Sequence, residues 1–462
     1  MNNNETIAAI ATGLSESGIS IIRVSGPDAF SIADKIFKGS DNKKVSEYES
    51  HTIHYGFIKE NDEIIDEVIL SVMRSPRSYT TEDTVEINCH GGLLITKKVL
   101  EAVIRNGARL ALPGEFTKRA FLNGRIDLTR AEAIMDVISA DNELALKASV
   151  KHLRGDIFEK IINLRNQIIH ETAYIESALD DPEHISLDGY SDTLKEKIDS
   201  IRCELIKMEE SALDGQIIKD GILTVIVGKP NAGKSSFLNM LIGREKAIVT
   251  DIAGTTRDAL EQHVRIGDLS LNLVDTAGIR SAKDEVEKIG VEKSKEYLKE
   301  ADLVLFIVDS SIKLDKNDLD IIDLIKDKKV IILFNKSDLL SVIEEKDVTD
   351  KFKDLDNLRV LKISAKEKTG IEQFCDLIKE FILDQSISSN NELLITNERH
   401  REKIHEAIES LNLVMDSINM NMPEDFMTID LMSAYTSLGE IIGEEISEDL
   451  ADEIFSKFCM GK

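Results

Sequence analysis

Apolar residues follow one rhythm in the first part of the chain and another after about residue 128. Over residues 1–120 they form short runs or alternate with more polar neighbours, as at Ile53, Tyr55 and Phe57. Alternation of this kind is typical of a half-buried strand. Further elements are predicted as strands at 18–24, 64–72 and 84–89 and as a helix near 93–105. The pattern therefore predicts a compact α+β unit over residues 1–120.

Beyond Leu128 the apolar residues recur every three or four positions, which predicts long helices with one apolar face each. The predicted faces are Leu153, Ile157, Ile161, Leu164 and Ile168; Leu194, Ile198, Ile201, Leu205 and Met208; and Ile404, Ile408, Leu411, Val414 and Met415. Asp214-Gly215 is expected to end the second of these helices. We interpret the three faces as the core of a helical bundle, and a groove that binds a partner is the alternative.

Between residues 222 and 382, apolar runs of strand length alternate with helical patterns. The predicted strands are 222–227, 269–274, 303–308, 330–334 and 359–363. This alternation indicates a doubly wound, mostly parallel sheet. Ligands of such sheets bind beyond the carboxyl ends of the strands. The polar segments that follow each strand are therefore the candidate ligand-binding segments.

The first strand leads into Gly-Lys-Pro-Asn-Ala-Gly-Lys-Ser-Ser over residues 228–236. Gly228, Gly233, Lys234 and Ser235 fill every fixed position of the phosphate-loop pattern G-x-x-x-x-G-K-[ST]. A helix is predicted to follow, with Gly243 as its stop. In this strand–loop–helix context the backbone N–H groups turn toward phosphate oxygens, Lys234 neutralises the β- and γ-phosphates, and Ser235 ligates Mg²⁺. A glycine-rich turn that binds nothing is the weaker alternative.

Three more motifs follow later strands: Asp-Thr-Ala-Gly at 275–278, Asn-Lys-Ser-Asp at 335–338 and Ser-Ala-Lys at 364–366. Asp275 is expected in the Mg²⁺ shell, and the Gly278 N–H is expected at the γ-phosphate. Asp338 can accept two hydrogen bonds from guanine, whereas adenine would leave that carboxylate unpaired. Each motif alone could be a turn or a helix cap, but their order and spacing together predict GTP binding.

The chain is therefore predicted to be multidomain, α/β plus α. An N-terminal α+β domain covers 1–120, and a helical domain, 121–215 plus 385–462, is interrupted by a GTP-binding domain at 216–384. Residues 385–391 are interpreted as a linker. A nucleotide switch inserted between helices can pass its state to them mechanically.

Composition restricts the partners and the compartment. The net charge of −28 over 462 residues repels nucleic acid in general, so RNA contact has to be local or supplied by a partner. Four widely spaced cysteines without a C-x-x-C motif are typical of reduced thiols in a cytosolic protein. The N-terminus lacks a basic flank and an apolar core, and no apolar run approaches the roughly 18 residues of a membrane span. We expect a cytoplasmic protein without a signal peptide or a membrane span.

The GTP motifs are similar to those of translation-factor-type GTPases, and three further stretches narrow the comparison. These stretches are Thr250–Asp258, Pro113–Arg125 and the ending Cys-Met-Gly-Lys at 459–462. With them, the chain resembles the MnmE (TrmE) family of tRNA-modification GTPases over essentially its full length. The resemblance implies a homodimer joined through N-terminal domains that bind folate. It also implies a heterotetramer with the flavoprotein MnmG that modifies carbon 5 of the wobble uridine of certain tRNAs, with tRNA contacted mainly through the complex.

The expected GTP-contacting residues come from five segments. They are Asn231, Ala232, Gly233, Lys234, Ser235 and Ser236; Thr250, Asp251, Ile252, Ala253, Gly254, Thr255 and Thr256; Asp275, Thr276, Ala277 and Gly278; Asn335, Lys336, Ser337 and Asp338; and Ser364, Ala365 and Lys366.

Ile279 occupies the position of the water-orienting glutamine of Ras-like proteins and cannot form its hydrogen bonds. The resemblance implies two other devices, a glutamate, Glu287, that helps to position the water, and a bound K⁺. The implied K⁺ ligands are Asn231, Thr250, Ile252 and Thr255, and Ser235 with Thr256 would hold Mg²⁺. Lys234 and Glu287 are the expected catalytic residues. The sequence alone favours a solvated acidic run at Asp284–Glu287, and only the resemblance gives Glu287 a role.

The resemblance places a site for 5-formyltetrahydrofolate, or a related reduced folate, at Arg23, Glu86, Arg125 and Lys462. A glutamate can hydrogen-bond the N–H edge of a pterin, and Arg or Lys can pair with the folate carboxylates. Cys459 is interpreted as a thiol that positions the tail, with a chemical role as the alternative. A competing function is that of a ribosome-assembly or membrane-associated GTPase switch, which would need neither residues 1–120 nor this tail.

Overall fold

A computed structural model of the chain describes residues 5–61, 63–242, 261–266, 269–275, 297–352, 356–382, 393–444, 446–458 and 461, without the side chains of 213, 261, 275, 448 and 449. The chain divides into two compact units. The first consists of residues 1–138, 152–191 and 410–462, and the second of residues 139–151 and 192–409. None of the described helices combines the length and the apolar character that crossing a membrane requires.

The N-terminal part of the first unit is a seven-stranded sheet with two helices on its apolar face. Its elements are β1 (Ile7–Ile10), β2 (Ser17–Ser25), α1 (Ala29–Ile36), β3 (Phe37–Gly39), β4 (Thr52–Glu60), β5 (Glu63–Met73), β6 (Thr84–Gly91), α2 (Leu93–Arg105) and β7 (Arg109–Leu110). The strand order is β3-β4-β5-β6-β2-β1-β7, and β1 and β7 run parallel. Ile22, Val24 and Ile87 point into one core with Val99 and Val103 of α2. The predicted α+β unit is confirmed.

The remaining helices of residues 115–220 and 398–456 are divided between the two units. They are α3 (Glu115–Leu122), α4 (Leu128–Ser139), α5 (Glu143–Arg154), α6 (Asp156–Asp180), α7 (Tyr190–Asp220), α12 (Glu398–Asn419), α13 (Glu424–Ile442) and α14 (Glu448–Ser456). In α6 the predicted apolar face is buried from Ile157 to Ile168. Leu153 does not belong to it, because Gly155, with φ of +103°, separates α5 from α6 and Leu153 is 38% exposed. The face begins at Ile157.

The predicted break at Asp214-Gly215 is wrong. Helix α7 continues without interruption for 31 residues to Asp220, and Ile218 continues its buried face. A Cβ at Gly215 would lie 2.0 Å from the carbonyl oxygen of Ile395. Glycine therefore serves here for a close approach of two backbones within the second unit, and not as a helix stop.

The second unit contains a six-stranded sheet with apolar cores on both faces. Its elements are β8 (Ile222–Val227), α8 (Lys234–Ile242), β9 (Glu261–Ile266), β10 (Leu269–Asp275), β11 (Leu303–Asp309), α9 (Lys316–Ile325), β12 (Val330–Asn335), α10 (Glu345–Thr349), β13 (Leu358–Lys362) and α11 (Ile371–Ile382). The order is β13-β12-β11-β8-β10-β9, parallel except for β9. Separate cores around Phe237 and Phe306 cover the two faces. The doubly wound, mostly parallel sheet is confirmed, whereas β9 was not predicted.

Candidate functional site

The phosphate loop joins the end of β8 to the start of α8, at the carboxyl edge of the parallel strands. Its glycines are required by close contacts. A Cβ at Gly228 would lie 2.5 Å from the carbonyl oxygen of Ile307, and one at Gly233 would lie 2.0 Å from Asn335 Nδ2. Gly233 has φ of +104° and Asn231 has φ of +63°. Left-handed backbone of this kind directly before a helix N-terminus is typical of loops that bind phosphate through backbone N–H groups.

Lys234 is held inside this loop. Its side chain is buried, and Nζ donates hydrogen bonds to the carbonyl oxygens of Gly228 at 2.7 Å and Lys229 at 2.9 Å. Ser235 and Ser236 on the first turn of α8 are exposed. The ammonium group is therefore prepositioned beside the loop, and the serine hydroxyls remain accessible.

Two other motifs close the site from neighbouring strands. Asn335 ends β12, and its Nδ2 donates to the Ala232 carbonyl at 2.7 Å while its Oδ1 accepts from the Ala365 N–H at 3.0 Å. Asp338 Oδ1 accepts a hydrogen bond from Ser364 Oγ at 2.6 Å. This hydrogen bond lowers the pKa of the Asp338 carboxyl. The Asp338 carboxyl therefore stays ionised at neutral pH and can accept further hydrogen bonds.

Together these segments enclose a cavity of about 600 Å³, within the usual range for small-molecule sites. It is lined by Pro230, Asn231, Gly233, Lys234, Ser235, Ser236, Asn335, Lys336, Asp338, Leu339, Ala365 and Lys366. The structure thus brings the first, fourth and fifth predicted segments to one cavity; Ala232 and Ser337 contact neighbouring loops through their backbones. Pro230 and Leu339 were not predicted to line it.

The remaining predicted GTP residues are described in part or not at all. Asp275 ends β10 opposite Ile226 of β8, and its side chain lies outside the described residues. The segments 250–256 and 276–278 and Glu287 also lie outside them. The described members of the predicted K⁺ and Mg²⁺ sets, Asn231 and Ser235, both line the cavity. They offer oxygen atoms, the donors that hard cations prefer.

A carboxylate that was not predicted contacts the segment Asn335–Asp338, which we call the base loop. Asp309 ends β11, and its Oδ2 lies 2.5 Å from Lys336 Nζ. Burial raises the pKa of this carboxyl, but hydrogen bonds from Lys336 and Ser311 outweigh burial and lower it overall. The signal available in the sequence was the position of Asp309 at the carboxyl end of a predicted parallel strand.

The first unit holds a second cluster, around Arg23. Arg23 and Glu86 are cross-strand partners on β2 and β6, and Arg23 Nε donates to Glu86 Oε1 at 2.8 Å. Arg23 Nη1 also lies 3.4 Å from the carbonyl oxygen of Gly461. A Cβ at Gly461 would lie 2.1 Å from the Ile10 carbonyl oxygen. Gly461 is therefore packed against β1 beside the Arg23–Glu86 pair, while Cys459 and Lys462 lie outside the described residues.

Tyr79 connects Arg125 to this cluster. The guanidinium carbon atoms of Arg23 and Arg125 lie 5.3 and 4.9 Å from the centre of the Tyr79 ring. Arg125 Nη1 donates to the Tyr79 carbonyl at 2.8 Å, and Tyr79 Oη lies 2.9 Å from Thr117 Oγ1. Burial raises the pKa of Tyr79, so its hydroxyl stays protonated at neutral pH. Two of the four predicted folate residues, Arg23 and Arg125, thus lie against one aromatic ring that was not predicted, and a third, Glu86, is bonded to Arg23.

Comparison with known proteins covers both units. The family model described as the MnmE helical domain matches residues 128–459, and the one described as the GTP-binding protein TrmE N-terminus matches residues 6–125.

Relatives match along the whole chain. The chain is 56% identical over 459 residues to the tRNA modification GTPase MnmE of Lachnoclostridium phytofermentans, with 99% of each chain covered. It is 46% identical to the protein of the same name from Clostridioides difficile, again with 99% of each covered. A solved structure of Aquifex aeolicus Era bound to GDP·AlF4⁻ is 26% identical over 41% of this chain and 66% of that one, with a TM-score of 0.27.

Proposed function

We propose, since this chain belongs to the MnmE family of tRNA modification GTPases, that it couples GTP hydrolysis to modification of carbon 5 of the wobble uridine using a folate-derived carbon. One observation carries the proposal. A nucleotide-sized cavity and a separate cluster of Arg23, Glu86, Tyr79 and the chain end occur in the same chain. A GTPase that acts only as a switch has no use for the second.

In the GTP site we assign phosphate binding to residues 231–236, with Lys234 neutralising the β- and γ-phosphates. Asp338 would accept the guanine N–H groups, and Ser364–Lys366 would cover the base. The assignment is supported by the contacts of Asn335 with the phosphate loop and of Ser364 with Asp338. Asp275 and the segments 250–256 and 276–278 are assigned to the same site because they continue the family pattern.

For hydrolysis we assign Mg²⁺ to Ser235 and Thr256, and K⁺ to Asn231, Thr250, Ile252 and Thr255. When bound, K⁺ would offset the negative charge that develops between the β- and γ-phosphates. Glu287 would orient the attacking water, which Ile279 cannot do. We expect the loop Thr250–Thr255, which carries most of the K⁺ ligands, to become ordered when the nucleotide domains of two chains associate. Hydrolysis should therefore require this association.

Steady-state GTP turnover in matched potassium and sodium salts tests this mechanism. We expect K⁺ to accelerate turnover strongly over Na⁺, and Glu287→Ala to lower turnover with little loss of GTP affinity. Glu285→Ala, in the same acidic run, is the matched control and should leave turnover unchanged. Equal rates in the two salts would reject the potassium mechanism. Normal turnover in Glu287→Ala would show that Glu287 is not needed for hydrolysis.

In the first unit we assign reduced-folate binding to Arg23, Glu86, Arg125 and Lys462. Glu86 is suited to the N–H edge of a pterin and the cationic residues to carboxylates. The contact of Arg23 with the Gly461 carbonyl supports the participation of the tail, because the next residue is Lys462.

Titration of the full chain with 5-formyltetrahydrofolate tests this assignment. Deletion of Lys462 should weaken folate binding and lower wobble modification in cells, while GTP hydrolysis stays nearly intact. Lys457→Ala is the control, because Lys457 is an exposed tail lysine and its ion pair among the described residues is a local one with Glu453. Full modification after the deletion would reject the assignment at Lys462.

We further propose a cytoplasmic homodimer that assembles with the flavoprotein MnmG into a heterotetramer, which supplies most of the tRNA contact. The acidic charge of the chain supports this division of labour. The domain boundaries 1–120, 121–215, 216–384 and 385–462 belong to the same proposal. Light scattering after size exclusion should give a dimer alone and the larger assembly with the partner; a monomer at all concentrations would reject the homodimer.

A further inference from the structure

The segment from Asp309 to Asp318 connects the end of β11 to the start of α9. It contributes no residue to the lining of the GTP cavity. It nevertheless carries three carboxylates that face lysines of two loops that do line the cavity. Asp318 is fully buried, Asp309 is nearly so, and Asp315 is half exposed.

The first contact is made with the phosphate loop. Lys229 is the second residue of that loop, its side chain is 7% exposed, and its Nζ lies 2.8 Å from Asp318 Oδ2 and 3.3 Å from Asp315 Oδ2. Burial lowers the pKa of Lys229, but the two carboxylates outweigh burial and raise it overall. The lysine therefore stays charged, and the pair ties the loop to α9.

Asp318 is fixed from its own side as well. Its Oδ2 accepts from the Asp315 N–H at 3.1 Å, and Asp315 Oδ1 accepts from the N–H groups of Asn317 and Asp318. This is a capping box at the start of α9. Asp318 Oδ1 is buried and has no hydrogen-bond partner among the described residues. Lys229 is thus the side chain that compensates this charge most directly.

The second contact is made with the base loop. Asp309 Oδ2 lies 2.5 Å from Lys336 Nζ, and Asp309 Oδ1 accepts from the N–H and the hydroxyl of Ser311. Next to it, Ser310 Oγ donates to the Asn335 carbonyl at 2.8 Å. Lys336 and Asn335 are the first two residues of the motif that includes Asp338.

We propose that Asp318 and Asp309 are positioning residues for GTP, Asp318 holding the phosphate loop through Lys229 and Asp309 holding the base loop through Lys336. The carbonyl of Lys229 accepts a hydrogen bond from Lys234 Nζ, so displacement of Lys229 moves the phosphate-binding lysine. The spacing between the two loops is then set by the segment Asp309–Asp318, none of whose residues lines the cavity. The inference rests on the proposed assignment of the GTP-binding residues.

The two halves of the proposal predict different defects. Asp318→Asn keeps the volume and removes the charge, so GDP and GTP affinity should both fall roughly 2- to 30-fold with the ratio of GDP to IDP affinity unchanged. IDP lacks the exocyclic amine of guanine. Asp309→Asn should instead lower the GDP-to-IDP ratio, because it releases the base loop. Lys229→Arg should retain affinity, whereas Lys229→Gln should lose it as Asp318→Asn does.

The experiment is competitive nucleotide titration of the full chain, carried out below the measured unfolding temperature of each variant. Asp320→Asn, on the exposed side of the same helix, is the matched control. Affinities of Asp318→Asn that equal those of Asp320→Asn overturn the proposal, as does a loss of affinity accompanied by a reduced GDP-to-IDP ratio. Lys234→Ala in the same assay reports on the site itself. Undiminished nucleotide binding by Lys234→Ala would reject the proposed GTP site. If Lys234→Ala loses binding but Asp318→Asn binds normally, only the positioning role is rejected.

Discussion

The GTP cavity and the Arg23 cluster are built in opposite ways. The cavity is formed by three short segments, each directly after a parallel strand, and within each segment the residues are neighbours in the sequence. The cluster draws on Arg23, Tyr79, Glu86, Arg125 and Gly461, which come from both ends of the chain. A site made of local segments can be recognised as motifs in the sequence. A site assembled by tertiary structure appears in the sequence only as scattered single residues.

The physical reason lies in which atoms bind the ligand. Phosphate is held largely by backbone N–H groups, and that geometry demands glycine where φ is positive or another chain passes closely, as at Gly228 and Gly233. In the cluster, the contacts are made by side chains, such as those of Arg23 and Glu86. Their contact depends on the register of β2 and β6, which no local pattern specifies.

The largest effect is expected from Gly233→Ala. A Cβ at this position would lie 2.0 Å from Asn335 Nδ2, so the phosphate loop and the base loop cannot both keep their places. GTP turnover should fall about 10²- to 10³-fold in a steady-state assay, while folate binding is unchanged. Gly13→Ala is the control, since nothing lies within 4 Å of its added Cβ. Normal turnover in Gly233→Ala would mean that the cavity is not the hydrolytic site.

Asp338→Asn should have the next largest effect. Loss of the carboxylate removes acceptors for two guanine N–H groups, so GTP affinity should fall about 10- to 100-fold. The amide can donate to O2 of xanthine, and xanthosine triphosphate should therefore bind better than GTP. Competition titrations with both nucleotides measure the change. If the variant still prefers GTP, Asp338 does not read the base.

The fold was predictable wherever one pattern had one physical meaning. Buried parallel strands such as Val330–Asn335 appear as unbroken apolar runs, and their ends located the nucleotide motifs. Gly215 misled because glycine has two uses: the sequence suggests a stop, but the structure uses the missing Cβ for contact with Ile395. Strand β9 was missed because its first three residues are polar and only Val264 and Ile266 are apolar, so its alternation is too short to stand out.

The candidate sites divide in the same way. Lys234, Asn335 and Asp338 were predicted from local motifs alone, with the strands that carry them. Arg23 and Glu86 are unremarkable charges in the sequence, and only the family resemblance indicated them. Tyr79 was missed, because its role follows from two arginines packing on its ring, and that arrangement exists only in the folded chain.

Gly461→Ala tests whether the tail belongs to the cluster. Gly461 has φ of +88°, and its added Cβ would lie 2.1 Å from the Ile10 carbonyl oxygen. The tail should move away from Arg23, and affinity for 5-formyltetrahydrofolate should fall about tenfold with GTP turnover unchanged. Gly189→Ala has a similar φ of +73° but nothing within 4 Å, so it separates backbone strain from lost contact. Equal folate affinity in both variants would show that the tail does not contribute to folate binding.

The smallest effect is expected from Arg125→Gln. Arg125 is exposed, and its contacts are the Tyr79 ring and the Tyr79 carbonyl. Exposed charges contribute little because water and salt screen them, so folate affinity should fall only about two- to fivefold. The loss should shrink as salt is raised, since the folate carboxylates are screened from the guanidinium. Calorimetric titration at two salt concentrations measures both quantities.

Two further variants make this small effect interpretable. Arg77→Gln removes an exposed arginine from the segment that carries Tyr79 and should leave folate affinity unchanged. Arg23→Gln removes a guanidinium that pairs with Glu86 and is only 17% exposed. The loss of folate affinity in this variant should be larger and less sensitive to salt. If Arg77→Gln weakens binding as much as Arg125→Gln does, the contribution of Arg125 is a general electrostatic one, and the ring of Tyr79 does not direct it.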